Sequence, residues 1–202
     1  GNPYFIDLDD LYGRGLISGR YRHIKWAKGN VDYGFVYQNK DGVLREMKKN
    51  LDKIKGENFD RFCAENVYWL DDYALFMALY ERFDKVRWNT WDKELVTREP
   101  DALNHYLHSL KDEVKYWKSV QYLFWEQWFK LKNYAASLRV EIIGDLPIYI
   151  SFQSADVWAK SENFLLDEEK KPERVAGVPP DLYSATGQLW GNPVYDWGYM
   201  KR

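Results

Sequence analysis

The chain has 202 residues and a mass of 24.2 kDa, which is long enough for one domain with a buried core. Its 29 Lys and Arg residues nearly balance 31 Asp and Glu residues, so the net charge of −2 does not indicate a nucleic-acid partner. No stretch is apolar for long enough to span a membrane, and the lone Cys63 excludes an internal disulfide and favours a reducing, cytoplasmic setting.

The first predicted element is a short buried strand at Tyr4–Leu8, where an apolar run lies between Pro3 and a pair of aspartates. Residues 13–34 follow it and are rich in glycine and basic side chains. We expect this second stretch to be a loop.

Helices are predicted next, because apolar residues recur at spacings of three and four between about residues 42 and 84. A polar connection over residues 88–100 carries two tryptophans. The strongest periodic pattern of the chain then runs from Leu110 to Leu138 and predicts a long helix. Its aromatic residues favour a face packed on the core over a ligand-binding stripe. His105 and His108 precede it, but a single histidine pair is more typical of packing than of a metal site, so we expect no metal.

A second strand is predicted at Arg139–Ile150, where a nearly continuous run of β-branched residues is interrupted by Gly144 and Asp145. A helix followed directly by a buried strand is typical of a parallel α/β fold. Asp145 lies at the carboxyl end of this strand, where such sheets hold ligands. Its carboxylate is suited equally to accepting sugar hydroxyls and to capping backbone N–H groups.

Residues 151–202 show little regular pattern, and within them residues 177–193 form a loop by every local rule, with several glycines and prolines. This loop nevertheless carries two large aromatic residues, Tyr183 and Trp190. Aromatic residues make up 18% of the chain, and their rings suit both protein cores and the flat faces of sugars. The loop is therefore either a lid over a core or a surface that holds a flat ligand. Asp145 and Asp181 formally provide two carboxylates for glycoside chemistry, but spacing along the chain does not fix their separation.

Several long segments resemble one family. They are GDLPIYISFQSADVWA (144–159), VAGVPPDLYSATGQLWGNPVYDW (175–197), GNPYFIDLDDL (1–11), VDYGFVY (31–37), ENVYWLDDYALFMAL (65–79) and QYLFWEQWFKLKNYA (121–135). They are similar, in the same order, to segments of the 4-α-glucanotransferases of glycoside hydrolase family 77, also called amylomaltases or disproportionating enzymes. The resemblance covers most of the chain.

The resemblance implies an α/β fold that is part of a (β/α)8 TIM barrel, about strands 2 and 3, with a large helical insertion at about residues 20–137. Residues 139–150 are then a barrel strand, and residues 151–202 are an irregular substrate-loop region of a partial catalytic domain. The family transfers α-1,4-glucan segments between maltooligosaccharides with retention, and it implies neither a metal nor an organic cofactor. No nucleic-acid or membrane partner is implied.

The resemblance also assigns substrate-binding residues. Asp145 resembles the acidic residue at the end of the third barrel strand, and Tyr37 matches a tyrosine of a secondary glucan groove. The remaining four residues belong to the loop that closes over the donor site, with Trp190 as its stacking residue. They are Asp181, Tyr183, Gln188 and Trp190. Leu182 departs from the pattern, because many relatives have an aromatic residue there.

The family motifs with the nucleophilic Asp and the acid/base Glu correspond to positions after Arg202, and the first barrel strand corresponds to positions before Gly1. We therefore expect no catalytic residue in these 202 residues and no turnover by them alone. Two strands do not close a barrel, so we also expect exposed apolar faces. A non-catalytic glucan-binding module is the alternative interpretation of the same loop.

Overall fold

A computed structural model describes residues 1–26 and 29–202 and is rich in helix. The α-helices are α1 (Leu8–Gly13), α2 (Tyr33–Arg45), α3 (Glu57–Glu65), α4 (Val67–Arg82), α5 (Lys93–Val96), α6 (Pro100–Ser109), α7 (Lys111–Ser137), α8 (Ala155–Ala159) and α9 (Trp197–Met200). Short 3-10 turns lie at Pro3–Phe5, Gly19–His23, Glu46–Lys53, Trp88–Thr90 and Ser161–Asn163. The strands are β1 (Val175–Val178) and β2 (Gln188–Pro193). Among the helices in the described ranges, none combines the length and apolar character of a membrane span.

The chain divides into two compact units. Unit 1 contains Gly1–Leu70 and Asp112–Ile143, and unit 2 contains Asp71–Lys111 and Gly144–Arg202. The regular structure described between residues 20 and 137 is entirely helical, as predicted. Whether that range forms a separate subdomain stays a prediction.

The core of unit 1 includes the first half of α7. Eight of its residues are buried between Val114 and Leu123, and the Tyr122 ring lies 5.5 Å from the Phe62 ring. Burial and a hydrogen bond to Glu126 raise the pKa of Tyr122 to about 12. The predicted long helix is confirmed and unbroken. Its core-facing character ends after Leu123, because Trp128 and later apolar residues are exposed.

Tryptophans form much of the core of unit 2. The Trp158 ring lies 6.0 Å from Trp91 and 5.8 Å from Phe76, and all three residues are buried. Its indole N–H donates to the Leu95 carbonyl at 2.9 Å, and the Trp88 indole donates to the Phe152 carbonyl at 2.8 Å. A large part of the aromatic excess therefore fills a core, in which the indole N–H groups of Trp158 and Trp88 are satisfied and that of Trp91 has no partner among the described residues.

The strand predicted at Tyr4–Leu8 is wrong. Pro3–Phe5 form a 3-10 turn that begins where the Asn2 side chain accepts a hydrogen bond from the Tyr4 amide at 3.0 Å. The Asp7 carboxylate then caps α1 by accepting from the Asp9 amide at 2.9 Å. Short polar side chains next to a proline thus override the β preference of the apolar run. The loop predicted at 13–34 contains a 3-10 turn and the start of α2, and Ala27 and Lys28 in it lie outside the described residues.

The strand predicted at Arg139–Ile150 is not confirmed, because the segment begins in a turn with a φ of +58° at Arg139, has no regular structure after it and pairs with no described strand. Ile143, Leu146 and Ile148 are 95%, 87% and 73% exposed. These exposed apolar side chains agree with the expectation that apolar faces of this chain are uncovered. The loop predicted at 177–193 is wrong in part, because both of its ends belong to strands.

Candidate functional site

The aromatic loop of the sequence is a β-hairpin in unit 2. β1 and β2 pair antiparallel, with Val175 opposite Pro193, Gly177 opposite Leu189 and Val178 opposite Gln188. Between the first two pairs the register shifts, so that β2 bulges over residues 190–192. A bulge re-aims the side chains that it contains, and here it contains Trp190.

Two glycines make this pairing possible. A Cβ on Gly177 would lie 2.6 Å from the Gln188 carbonyl oxygen, so the strands approach too closely for any side chain there. Gly187 has a φ of +73°, and a Cβ on it would lie 2.5 Å from the Val178 carbonyl oxygen. The glycines that predicted a loop are therefore the residues that let the hairpin close.

Asp181 organises the tip of the hairpin. Its Oδ1 accepts hydrogen bonds from the amides of Tyr183 and Ser184, both at 2.8 Å. The Ser184 hydroxyl donates to the Gly187 carbonyl at 2.7 Å. One carboxylate oxygen of Asp181 thus fixes the turn. Leu182 and Tyr183, which follow it, are 100% and 93% exposed.

Trp190 and Gln188 contact each other directly. The indole N–H donates to the Gln188 Oε1 at 3.0 Å, which leaves the amide group of Gln188 as a donor for a ligand. The Trp190 ring lies 6.2 Å from the Tyr149 ring, which stacks in turn on Tyr195 at 5.9 Å. Trp190 is therefore half-exposed on a support of aromatic rings.

A cleft of about 710 Å³ opens at the foot of the hairpin, within unit 2. Its lining residues are Tyr80, Lys85, Arg87, Asn89, Thr90, Ser151, Phe152, Gln153, Lys171, Pro172, Val175, Trp190, Gly191 and Asn192. The Asn192 amide donates to the Ile150 carbonyl at 2.7 Å and so joins the bulge to the end of segment 139–150. The cleft is within the size range of about 300–1,000 Å³ that is usual for small-molecule sites.

The other two predicted site residues lie elsewhere. Asp145 is exposed in unit 2, and the structure gives it no hydrogen bond or ion pair with any described residue. Tyr37 lies on α2 in unit 1, half-exposed, with its ring edge-on to Tyr4 at 4.5 Å. The described contacts therefore join Asp181 with Tyr183 and Gln188 with Trp190 on one hairpin, and Asp145 and Tyr37 lie apart from it. The substrate-binding role of all six residues stays a prediction.

No cluster of three or more metal-ligating side chains occurs within residues 1–26 and 29–202. His105 is exposed on α6 and lies edge-on to Tyr106 at 5.2 Å. The His108 Nδ1 forms a hydrogen bond with the Asn104 carbonyl at 2.7 Å. Both contacts are local to the helix.

Sequence reasoning missed the cleft and the residues that support the hairpin. Tyr149 and Asn192 act through contacts that cross about forty residues of chain, and no local pattern indicates such contacts. Only the Gly-Asn-Pro motif at residues 191–193 carried a signal, because a glycine within a strand indicates a bulge.

Comparison with known proteins gives consistent results. A family model described as 4-alpha-glucanotransferase matches residues 1–202. The 4-alpha-glucanotransferases of Clostridium butyricum and Thermus thermophilus are both 44% identical, and the alignments cover all of this chain but 42% and 41% of those proteins. The structure of an amylomaltase from Streptococcus agalactiae in complex with acarbose superposes with a TM-score of 0.89 at 41% identity. That match covers all of this chain and 42% of the other. The chain thus spans about two fifths of the length of these relatives.

Proposed function

This chain belongs to the 4-alpha-glucanotransferase family, glycoside hydrolase family 77, and on that premise we propose that the protein carrying it is a 4-α-glucanotransferase. The reaction moves an α-1,4-glucan segment from one maltooligosaccharide to the hydroxyl of another, by two displacements with overall retention. The family match over residues 1–202 is the observation that carries this proposal.

The hairpin supplies the part of this function that the chain contains. Trp190 presents a half-exposed ring on which a glucose unit stacks, and Gln188 beside it keeps an amide donor for a sugar hydroxyl. One carboxylate oxygen of Asp181 accepts the hydrogen bonds of the turn, and the other accepts a hydrogen bond from a sugar hydroxyl. Tyr183 extends from the tip as a second aromatic contact. A hairpin that covers the bound glucan excludes water and favours transfer over hydrolysis.

We assign no catalytic residue to these 202 residues. The nucleophilic carboxylate and the acid/base carboxyl belong to other parts of the protein, and this chain binds and orients the glucan. Asp145 is proposed to bind sugar hydroxyls at the carboxyl end of a barrel strand, and Tyr37 to line a secondary glucan groove. No metal or organic cofactor is part of this mechanism.

The fold proposed for the whole protein is a (β/α)8 TIM barrel in which residues 139–150 form one strand. The exposed apolar side chains of that segment support this proposal, because they match a strand whose neighbours come from other parts of the protein. The single cysteine supports a cytoplasmic location.

A non-catalytic glucan-binding module is the second candidate, because the hairpin needs no catalytic residue to hold a glucan. The test is to incubate the protein that carries this chain with maltotriose and to follow the products by chromatography. The proposed transferase converts two maltotrioses into glucose and maltopentaose. Binding of maltotriose without any product would instead favour the module. The 202-residue chain by itself is expected to bind and to form no product.

A further inference from the structure

The cleft at the foot of the hairpin has an unusual set of charges. Three of its lining side chains are cationic, namely Lys85, Arg87 and Lys171, and none of the described lining residues is acidic. Lys171 is paired, since its ammonium group hydrogen-bonds to the Glu169 carboxylate, which raises the pKa of Lys171. The positive charge that remains is supplied by Lys85 and Arg87, in a chain whose net charge is −2.

The backbone after α4 directs these two side chains into the cleft. Asp84 and Lys85 have φ values of +52° and +62°, and the Lys85 amide donates to the Tyr80 carbonyl at 2.7 Å. Arg87, two residues after this turn, has an extended backbone with φ −62° and ψ 134°. Both side chains line the cleft, Lys85 from the turn and Arg87 from the extended residue that precedes the 3-10 turn at Trp88–Thr90.

The remaining lining suits a sugar. Tyr80, Phe152 and Trp190 provide rings, and three amide side chains provide hydrogen-bonding groups. Gln153 is engaged at both ends of its amide, because its Oε1 accepts from the Trp88 amide and its Nε2 donates to the Val86 carbonyl.

Asn89 differs from Gln153. Its Nδ2 donates weakly to the Glu169 carbonyl at 3.4 Å, and its Oδ1 is buried without a partner among the described residues. A buried acceptor without a donor costs free energy, so this side chain gains if it turns its Oδ1 towards the hydroxyl group of a ligand in the cleft.

We propose that this cleft binds a phosphorylated glucose unit, with Arg87 and Lys85 on the phosphate and Asn89 on a hydroxyl. Arginine binds phosphate through two parallel hydrogen bonds, and lysine adds a point charge. The aromatic rings and the size of the cleft favour a whole sugar phosphate over inorganic phosphate. The inference rests on the proposed function only for the identity of the sugar, because Trp190 belongs both to this cleft and to the glucan-binding hairpin.

The test is calorimetric titration of the protein that carries this chain. The four probes are maltotriose, maltotriose 6-phosphate, glucose 6-phosphate and inorganic phosphate. We expect maltotriose 6-phosphate to bind about tenfold more tightly than maltotriose, with a difference that shrinks as salt is added. Glucose 6-phosphate as tight as the phosphorylated trisaccharide would identify the ligand as a free sugar phosphate. Weaker binding of glucose 6-phosphate would identify it as a phosphate ester on a glucan chain.

Variants assign the preference to the cleft. Arg87→Gln and Lys85→Gln should each reduce the ratio of the two maltotriose affinities, and Arg87→Lys should restore part of it. Lys93→Gln is the matched control, because Lys93 is exposed in unit 2 and does not line the cleft. Equal affinities for the neutral and phosphorylated trisaccharides would overturn the proposal, and so would an equal effect of Lys93→Gln. Inorganic phosphate that binds as tightly as the sugar phosphates would reduce the cleft to a simple anion site.

The transfer assay separates this inference from the proposed function. If no maltopentaose forms but the preference for phosphate and its dependence on Arg87 hold, the transferase is wrong and the cleft stands. If maltopentaose forms and the preference is absent, the proposed transferase stands and the proposed phosphate site is wrong.

Discussion

The hairpin at residues 175–193 and the segment at residues 139–150 have similar residues and different structures. Both contain valine, leucine, tyrosine and other strand-forming residues, and both contain glycine and proline. The hairpin strands pair with each other, whereas the segment pairs with no described strand and leaves Ile143 95% exposed. A strand therefore needs a partner within reach more than it needs a strong β propensity.

The two hairpin strands are joined by a loop of nine residues, which closes at low entropic cost. Hydrogen bonds at Asp181 and Ser184 fix that loop. A parallel partner for segment 139–150 must instead come from a distant part of a chain, through a crossover connection. The difference between the two regions is thus one of distance along the chain.

The largest effect is expected from breaking the hairpin with Gly187→Val. The new side chain would sit at a φ of +73° with its Cβ 2.5 Å from the Val178 carbonyl oxygen, which should cost about 3 kcal/mol. We expect hydrogen exchange over residues 175–193 to rise to the rate of an unstructured segment, and glucan binding to be lost with it.

Gly144→Ala is the control in the unpaired segment. A Cβ there meets no atom within 4 Å, so exchange and binding should stay unchanged. If residues 175–193 were as protected from hydrogen exchange in Gly187→Val as before, the strands would not approach closely at this glycine.

Trp190→Ala is expected to have the second largest effect, and it acts on function. If the glucan stacks on this ring as proposed, its removal should weaken maltooligosaccharide binding by about 2 kcal/mol, or roughly 30-fold in Kd. Calorimetry provides the measurement. Trp128→Ala is the matched control, because Trp128 is also a partly exposed tryptophan but lies on α7 in unit 1 and does not line the cleft. Equal losses in both variants would show that the hairpin has no special role.

Asn192→Ala tests the link between the two regions. Its amide donates to the Ile150 carbonyl at 2.7 Å, and loss of that bond should lower the free energy of unfolding by about 1 kcal/mol. Urea unfolding measures it, with Asn104→Ala on the exposed face of α6 for comparison. A loss of stability in the first variant alone would confirm that the bulge holds the end of the segment. A loss of equal size in the Asn104 variant would contradict it.

The helices were predictable because their cause is local. α4 and α7 follow an apolar spacing of three and four, and each is where the pattern places it. The strand predicted at Tyr4–Leu8 was wrong because the Asn2 side chain caps a 3-10 turn and the Asp7 side chain caps α1. Such caps are overlooked when only apolar runs are considered. The two ends of the hairpin were wrongly predicted as loop because they contain glycine. Gly177 and Gly187 instead allow the two backbones to approach closely, and the local sequence of either strand alone does not show this pairing.

The candidate site was predictable only where one short motif contains it. Asp181, Tyr183, Gln188 and Trp190 lie within ten residues, and the structure joins them in one hairpin. The cleft combines Arg87, Phe152 and Trp190 from distant parts of the chain. Their meeting is a property of the folded unit.

Leu146→Ser is expected to have the smallest effect on the stability of this chain. Its effect in a protein of the length of the relatives tests whether residues 139–150 form a barrel strand. Leu146 is 87% exposed, so the substitution should change the stability of the 202-residue chain by no more than about 0.5 kcal/mol. If the segment is a barrel strand in a protein of the length of its relatives, the same leucine is buried there. The substitution should then cost about 2–3 kcal/mol, because a methyl-rich side chain leaves a packed core and a hydroxyl enters it. Urea unfolding of both proteins measures the difference, and Leu182→Ser at the fully exposed tip of the hairpin should be neutral for stability in both. A small effect of Leu146→Ser in the longer protein as well would mean that the segment stays uncovered there, and residues 139–150 would then not be a barrel strand.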